Sequence, residues 1–315
     1  MTNLLKTAIR LIFLGCLLLS AAQVSADPYY NSSEPGCDGS DPNVAFCDDF
    51  EDGTWYVTDC DTSGGITNVN NDGWCGSIYA NPITPAGAAV CGAGVTPFGN
   101  CVGTGGTKSG GSTDRNLAFR HLKTASCGSN GTQLCNVSTL YVRWYAKWQS
   151  GYQFGAEKHL NFTNDSGDIA FANIQINCGT GGAGSTGSLS IQVIHGENMC
   201  DPINGITIQS NRWYFFEMRV TAHPTAGIIQ VWINDCGTAG TSCGASPTLR
   251  YNRSGLRLPG NSNGSQIQTI WLESWANPPS VGTGPLWDQV KASIVGPIGF
   301  SGLSTLPAPA NLRVQ

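Results

Sequence analysis

Arg143, Tyr145, His159 and Gln175 are the residues whose types suit acid–base chemistry on a sugar polymer. β-Elimination at a uronic acid has three requirements. The substrate carboxylate must be neutralised so that the C5 proton becomes acidic, which suits Arg143 with Gln175 or Asn173. A base must take that proton, and His159 or Tyr145 has the right chemistry near neutral pH. An acid must protonate the leaving oxygen, a role open to Tyr145.

Hydrolysis needs a different set. Two carboxylates must flank the bond, about 5–5.5 Å apart for retention of configuration. No Glu-x-Asp-x-x-Glu strand is present, and the carboxylates on offer are Glu273, with Glu157 at a strand edge. One carboxylate cannot serve as both acid and nucleophile, so retaining hydrolysis is disfavoured.

These side chains must be positioned by strands. Segments 116–122, 140–148, 158–163, 169–177, 188–195, 213–221, 228–234, 267–274 and 287–293 are rich in β-branched and aromatic residues and bounded by Gly, Asn, Pro or Ser. No window carries a helical period. Successive side chains in a strand point to opposite faces. Val142, Trp144, Ala146 and Trp148 then form one apolar set, leaving Tyr141, Arg143, Tyr145 and Lys147 on the other side. The same alternation sends Leu160, Phe162, Ala172, Ile174, Ile176, Leu189, Ile191, Ile270 and Leu272 inward. It leaves His159, Asn161, Asn173, Gln175, Gln192, Trp271 and Glu273 outward. The expectation is one outward face holding Arg143, Tyr145, His159 and Gln175 as catalytic groups. Asn161, Asn173, Gln192, Trp271 and Glu273 would contact substrate. Aromatic rings with planar amides suit sugars, which present apolar CH faces and hydroxyls that both donate and accept.

Composition supports a β protein of an oxidising compartment. Of 315 residues, 41 are Gly and 13 Cys, and only 12% are charged, against about 7% Gly and about 25% charged in an average protein. A coiled coil and a helical bundle are excluded. The net charge of −5 and the lack of a basic stripe exclude a nucleic-acid partner held by phosphate contacts. With 40% hydrophobic residues and nine Trp, the chain is not disordered.

Residues 1–26 read as a signal peptide: Lys6 and Arg10, an apolar run over 11–19, then Val24-Ser25-Ala26. The run is too short for a membrane span, so a secreted protein with no membrane partner after cleavage is expected. Cleavage would move the net charge to −7 and remove Cys16, leaving 12 cysteines, an even number consistent with full pairing. Cys236–Cys243, Cys178–Cys200, Cys127–Cys135 and Cys91–Cys101 are candidate pairs, each closing a loop between strands. No Cys-x-x-Cys occurs, which argues against zinc. Seven Asn-x-Ser/Thr sequences are present, at Asn31, Asn130, Asn136, Asn161, Asn164, Asn252 and Asn263.

Many short strands between turns indicate an all-β fold, a two-sheet antiparallel β-sandwich with long disulfide-pinned loops. Residues 27–303 are expected to form one domain, with a cysteine-rich insert at about 59–112 and a tail over 304–315. A monomer is expected.

In order, the segments "FCDDFEDGTW", "DRNLAFRH", "LYVRWYAKWQSGYQF", "EKHLNF", "NRWYFFEMRV", "GIIQVWIND" and "LWDQVKASIVGPIGF" resemble the concanavalin A-like jelly-roll superfamily. The polysaccharide-lyase-like members, relatives of alginate and glucuronan lyases, are the most similar. The resemblance implies a jelly roll acting on or binding a polysaccharide. It also implies a structural Ca²⁺ held by an acidic residue of the opening segment and an Asp on the last strand, positions matched by Glu51 and Asp288. The insert between Asp59 and Ser112 departs from the usual pattern. "QVIH" at 192–195 only approximates a lyase signature, so two readings stand: a lyase acting on a uronic-acid polymer, and a non-catalytic carbohydrate-binding or cell-surface module.

Overall fold

The structure is a computed structural model. It describes residues 30–32, 34–38, 40–50, 137–163, 170–179, 184–193, 200–258, 267, 269–273, 280–282 and 284–300, with short pieces at 56–57, 74–75, 83–86, 101–104 and 117–121. The expected signal peptide, most of the cysteine-rich insert and the 304–315 tail lie outside the described residues, as does Glu51.

Among the described residues every regular element is a strand. The first seven are short: β1 (Tyr30–Asn31), β2 (Val44–Asp48), β3 (Tyr56–Val57), β4 (Trp74–Cys75), β5 (Ile83–Ala86), β6 (Cys101–Thr104) and β7 (Leu117–His121). Five follow at closer spacing: β8 (Thr139–Lys147), β9 (Glu157–Thr163), β10 (Ala170–Ile176), β11 (Thr186–Gln192) and β12 (Cys200–Gln209). The last five are β13 (Trp213–Thr221), β14 (His223–Gly237), β15 (Leu249–Leu258), β16 (Thr269–Glu273) and β17 (Leu286–Ser293). The expected strands are all present within a few residues of their bounds. β12 and β15 were not anticipated, because Asp201, Pro202, Gly205 and Gly255 break the apolar runs that mark a strand.

The strands form two sheets. One has nine strands, with the path β1-β2-β17-β8-β13-β14-β15 and β5–β6 attached to β17; the other runs β12-β11-β10-β9-β16-β7-β4-β3. Pairing is antiparallel except for β1–β2 and β3–β4. In each sheet a late strand is inserted between earlier ones, β17 between β2 and β8 and β16 between β9 and β7, and the expected two-sheet sandwich is the observed fold.

The core lies between the sheets. Val142, Trp144, Ala146 and Trp148 of the β8 segment, with Tyr214, Phe216, Met218 and Trp287, meet Leu160, Phe162, Ile174, Ile176, Leu189, Ile191, Ile270 and Leu272 from the other sheet. Each fully buried large aliphatic or aromatic side chain contributes roughly 1.5–3 kcal/mol. Glycine is required where the sheets close: a Cβ at Gly187 would sit 2.5 Å from Ile176 Cγ2 and 3.2 Å from the Phe154 ring.

Disulfides join Cys37–Cys47, Cys178–Cys200 and Cys236–Cys243. Two of the anticipated pairs are therefore present. Cys101 is also disulfide-bonded, while Cys91, Cys127 and Cys135 lie outside the described residues.

Candidate functional site

The expected single face divides into three locations. Arg143 and Tyr145 belong to β8, in the nine-stranded sheet. His159, Asn161, Asn173, Gln175, Gln192, Trp271 and Glu273 belong to β9, β10, β11 and β16, in the other sheet. Alternation assigns a side chain to one of two faces but does not say which sheet a strand joins. Because apolar residues of both sheets point inward, Arg143 and Tyr145 lie on the opposite outer surface from Asn161, Asn173 and Gln175.

Arg143 is an internal strut. Its Nη2 donates to Glu34 Oε1 at 2.6 Å, and Nη2 and Nε both donate to the Gln289 carbonyl, at 3.0 and 3.2 Å. Gln289 sits at an irregularity of β17, where Asp288 pairs with Tyr145 but Lys291 pairs with Arg143. Its positive φ of 52° is part of the kink. Burial works against the Arg143 charge, but Glu34, Tyr145 and Glu217 outweigh it and hold the guanidinium's pKa above its ordinary value. Lys291 donates to the Pro35 carbonyl at 2.8 Å and lies 3.6 Å from Glu34. The arrangement fastens the segment between β1 and β2 onto the sheet. Tyr145 packs nearby with Trp213, Phe215, Cys236 and Leu286, edge-on to Phe215 at 5.5 Å, and is buried.

His159 lies in the interior, and a β-bulge is the reason. Leu160 pairs with Ile174, but the next pair is Lys158 with Gln175, so His159 is the extra residue on β9. The bulge turns Glu157 and His159 to the same side as Leu160 and Phe162. Both are fully buried. The His159 Nε2 accepts from Trp144 Nε1 at 2.9 Å. Its ring stacks on Trp287 at 5.8 Å and adjoins Trp148 and Phe216. Glu157 accepts from Trp148 Nε1 at 3.4 Å, from Ser280 Oγ at 2.7 Å and from the Tyr152 hydroxyl. Burial, and then the Glu157 charge, push the Tyr152 phenol well above its usual range. Neither the anticipated base nor the edge carboxylate is on the outer face. A bulge of this kind has no signature in the side-chain alternation.

What the structure does bring together is a row of amides. Asn161 pairs across strands with Asn173, and Asn173 with Gln192. Trp271 occupies the register position beside Asn161, and Gln175 stands one row over, opposite Ser190 and Lys158. Asn173 Nδ2 donates to Gln192 Oε1 at 3.2 Å. Asn161 and Asn173 are buried and Gln192 is half-buried, so the row descends from a rim at β11 into covered structure. Asn161 Oδ1 and Asn173 Oδ1 have no hydrogen-bond partner among the described residues. A buried acceptor left unmatched costs about 1–3 kcal/mol. Cys178–Cys200 ties the end of β10 to the start of β12 across β11 and so fixes this edge. The side chains of Trp271 and Glu273 lie outside the described residues.

Of the two residues expected to hold calcium, Asp288 is fully buried and its Oδ1 accepts from the Gln289 amide at 2.7 Å. Glu51 lies outside the described residues. No group of three or more His, Cys, Asp or Glu side chains able to hold a metal occurs among the described residues.

No protein-family model and no curated protein matches this chain. Solved structures do resemble it in outline. "Cellulose induced protein, Cip1" matches with 14% identity over 79% of this chain and 96% of that chain, at a TM-score of 0.42. The catalytic domain of a GH131 β-glucanase from Podospora anserina matches with 11% identity over 80% and 99%, at a TM-score of 0.40. Alginate lyase vAL-1 from Chlorella virus matches with 11% identity over 64% and 88%, at a TM-score of 0.30. The sandwich itself rests on the strand pairings described above.

Proposed function

We propose that this is a secreted, non-catalytic carbohydrate-binding protein whose sugar-facing floor is the outer face of the eight-stranded sheet. The observation that carries this is the register row Asn161–Asn173–Gln192, which reaches the surface at the half-buried Gln192 and leads inward to two amide oxygens that are buried and have no hydrogen-bond partner among the described residues. Sugar hydroxyls donate, so they satisfy such acceptors; a carboxylate cannot. Hydroxyl-rich neutral glycans therefore fit this row better than a uronic-acid polymer. The disulfides are in keeping with an exported protein.

Cleavage of a uronic-acid polymer by β-elimination is the second reading. In its favour, Gln175 and Asn173, two amides suited to a substrate carboxylate, share that face. Against it, His159 and Tyr145 are not there to move the proton, so a lyase would need another base. A structural Ca²⁺ at Asp288 with Glu51 belongs to the proposal as well, and addition of a chelator would then lower the melting temperature.

The test is binding to a panel of neutral and uronic-acid oligosaccharides, with the wild type and an Asn161→Ala/Asn173→Ala variant checked for folding. Expected is binding of neutral glycans, weakened at least tenfold in the variant, with no rise in unsaturated-product absorbance on alginate or glucuronan. Turnover of either polymer would move the conclusion to the lyase. Undiminished binding by the variant would remove this face as the site.

A further inference from the structure

The outer surface of the nine-stranded sheet carries a second ordered row. Tyr141, Arg219, Gln230 and Asn252 are in continuous cross-strand register from β8 through β13 and β14 to β15. Arg219 lies with its Cζ 5.5 Å from the centre of the Tyr141 ring, and its Nη1 donates to Gln230 Oε1 at 2.9 Å. Gln230 Nε2 in turn donates to Asn252 Oδ1 at 3.2 Å.

This chain of bonds has one direction. Arginine has donors only, so Gln230 must turn its oxygen toward Arg219 and its NH₂ toward Asn252. Asn252, which is exposed, must then accept with its oxygen and present its NH₂ to solvent. The guanidinium thus orients a surface amide two strands away, and side chains held this way lose less freedom on binding.

An aromatic plate adjoins the row. Trp232 is half-buried on the same face as Gln230, two residues along β14 and so about 6.6 Å away. Its ring lies 6.5 Å from that of Tyr141. Packing against the cluster of Tyr145, Trp213 and Phe215 holds it in place. We propose that Trp232, Gln230 and Asn252 form a second carbohydrate-binding surface, separate from the amide row of the other sheet, for an uncharged glycan chain. The indole would stack on a sugar ring while the oriented amides meet the hydroxyls of that ring or the next. An uncharged ligand is favoured because no carboxylate or ammonium group belongs to the row, the Glu217 carboxylate across from Trp232 is buried and bonded to the Ile298 and Gly299 amides, and the row's one guanidinium, half-buried, lies against Tyr141 and bonds Gln230.

The test uses the full-length protein produced in an oxidising bacterial compartment, where the Asn252-Arg253-Ser254 sequence receives no N-glycan. Cellohexaose, laminarihexaose, xylohexaose and mannohexaose are titrated while tryptophan fluorescence is followed. At least one should change the emission of the wild type. Trp232→Ala should weaken that binding at least tenfold, Trp232→Phe less, and Asn252→Ala several-fold. Asn161→Ala/Asn173→Ala, which removes the first site and so weakens total glycan binding, should leave the Trp232-dependent emission change in place, and Trp232→Ala should leave the binding that the double variant loses; this separates the two sites. Since Trp232 is only half-buried, Trp232→Ala is expected to fold, and its melting curve checks this. Equal binding by wild type and Trp232→Ala, no binding of any of the four sugars, or a Trp232-dependent self-association in place of sugar binding would each overturn the proposal.

Discussion

Trp144 Nε1 donates to His159 Nε2 at 2.9 Å across the interior of the sandwich, joining β8 of one sheet to β9 of the other. Because that nitrogen accepts, the imidazole is neutral with its proton on Nδ1. Four aromatic rings surround it. His159 is therefore a core residue, and His159→Ala should lower unfolding stability by about 2–4 kcal/mol through lost packing and an orphaned indole N–H. Glycan affinity of the folded fraction should not change. Urea unfolding beside a binding titration checks both halves. Lost affinity at unchanged stability would contradict this role.

Arg143 is predicted to be structural in the same sense. Arg143→Met leaves the half-buried Glu34 with Lys291 as its remaining cation and removes two donated bonds from the Gln289 carbonyl. Removing one partner of a buried pair costs about 3–5 kcal/mol. Chemical denaturation should show a loss of this order, and limited proteolysis should open the segment around Glu34 first.

Glu217 gives a pH signature. Its carboxylate is buried and accepts from the Ile298 and Gly299 amides at 2.7 and 2.9 Å. Burial raises its pKa above 4.5, while those bonds and Arg143 partly offset the rise. The folded state therefore binds this proton more tightly than the unfolded chain. Stability from this group is fully present below about pH 4.5 and is lost as pH rises through the folded pKa. Glu217→Gln should abolish that part of the slope in a pH series of melting temperatures. An unchanged slope would show that another group titrates.

Reduction should loosen the edge of the amide row. Cys178–Cys200 closes a loop of 22 residues, worth about 3 kcal/mol in the chain-entropy account. Cys178→Ser/Cys200→Ser should lose stability of that order and also weaken glycan binding, because the bond holds β10 and β12 on either side of β11. A stability loss without any effect on binding would detach the disulfide from the site.

Much of the fold was legible because strands of alternating or continuous apolar residues announce themselves. Ile174, Ile176, Leu189 and Ile191 all point inward as alternation requires. Asn161, Asn173 and Gln192 do lie together on one outer face, for the same reason. Arg143 and Tyr145 were misplaced because sheet membership depends on long-range pairing, which local periodicity does not encode. His159 was misplaced because one extra residue in β9 reverses the parity of everything before it. The row through Arg219, Gln230 and Asn252 went unseen, since β15 carries Asn252, Ser254 and Gly255 where a strand usually shows apolar residues.

Hydrogen exchange with and without a saturating neutral oligosaccharide tests the central claim most directly. Binding at the outer face of the eight-stranded sheet predicts slower exchange in Glu157–Thr163, Ala170–Ile176 and Thr186–Gln192, the strands bearing the amide row. Unchanged exchange in all three under saturating ligand would contradict it.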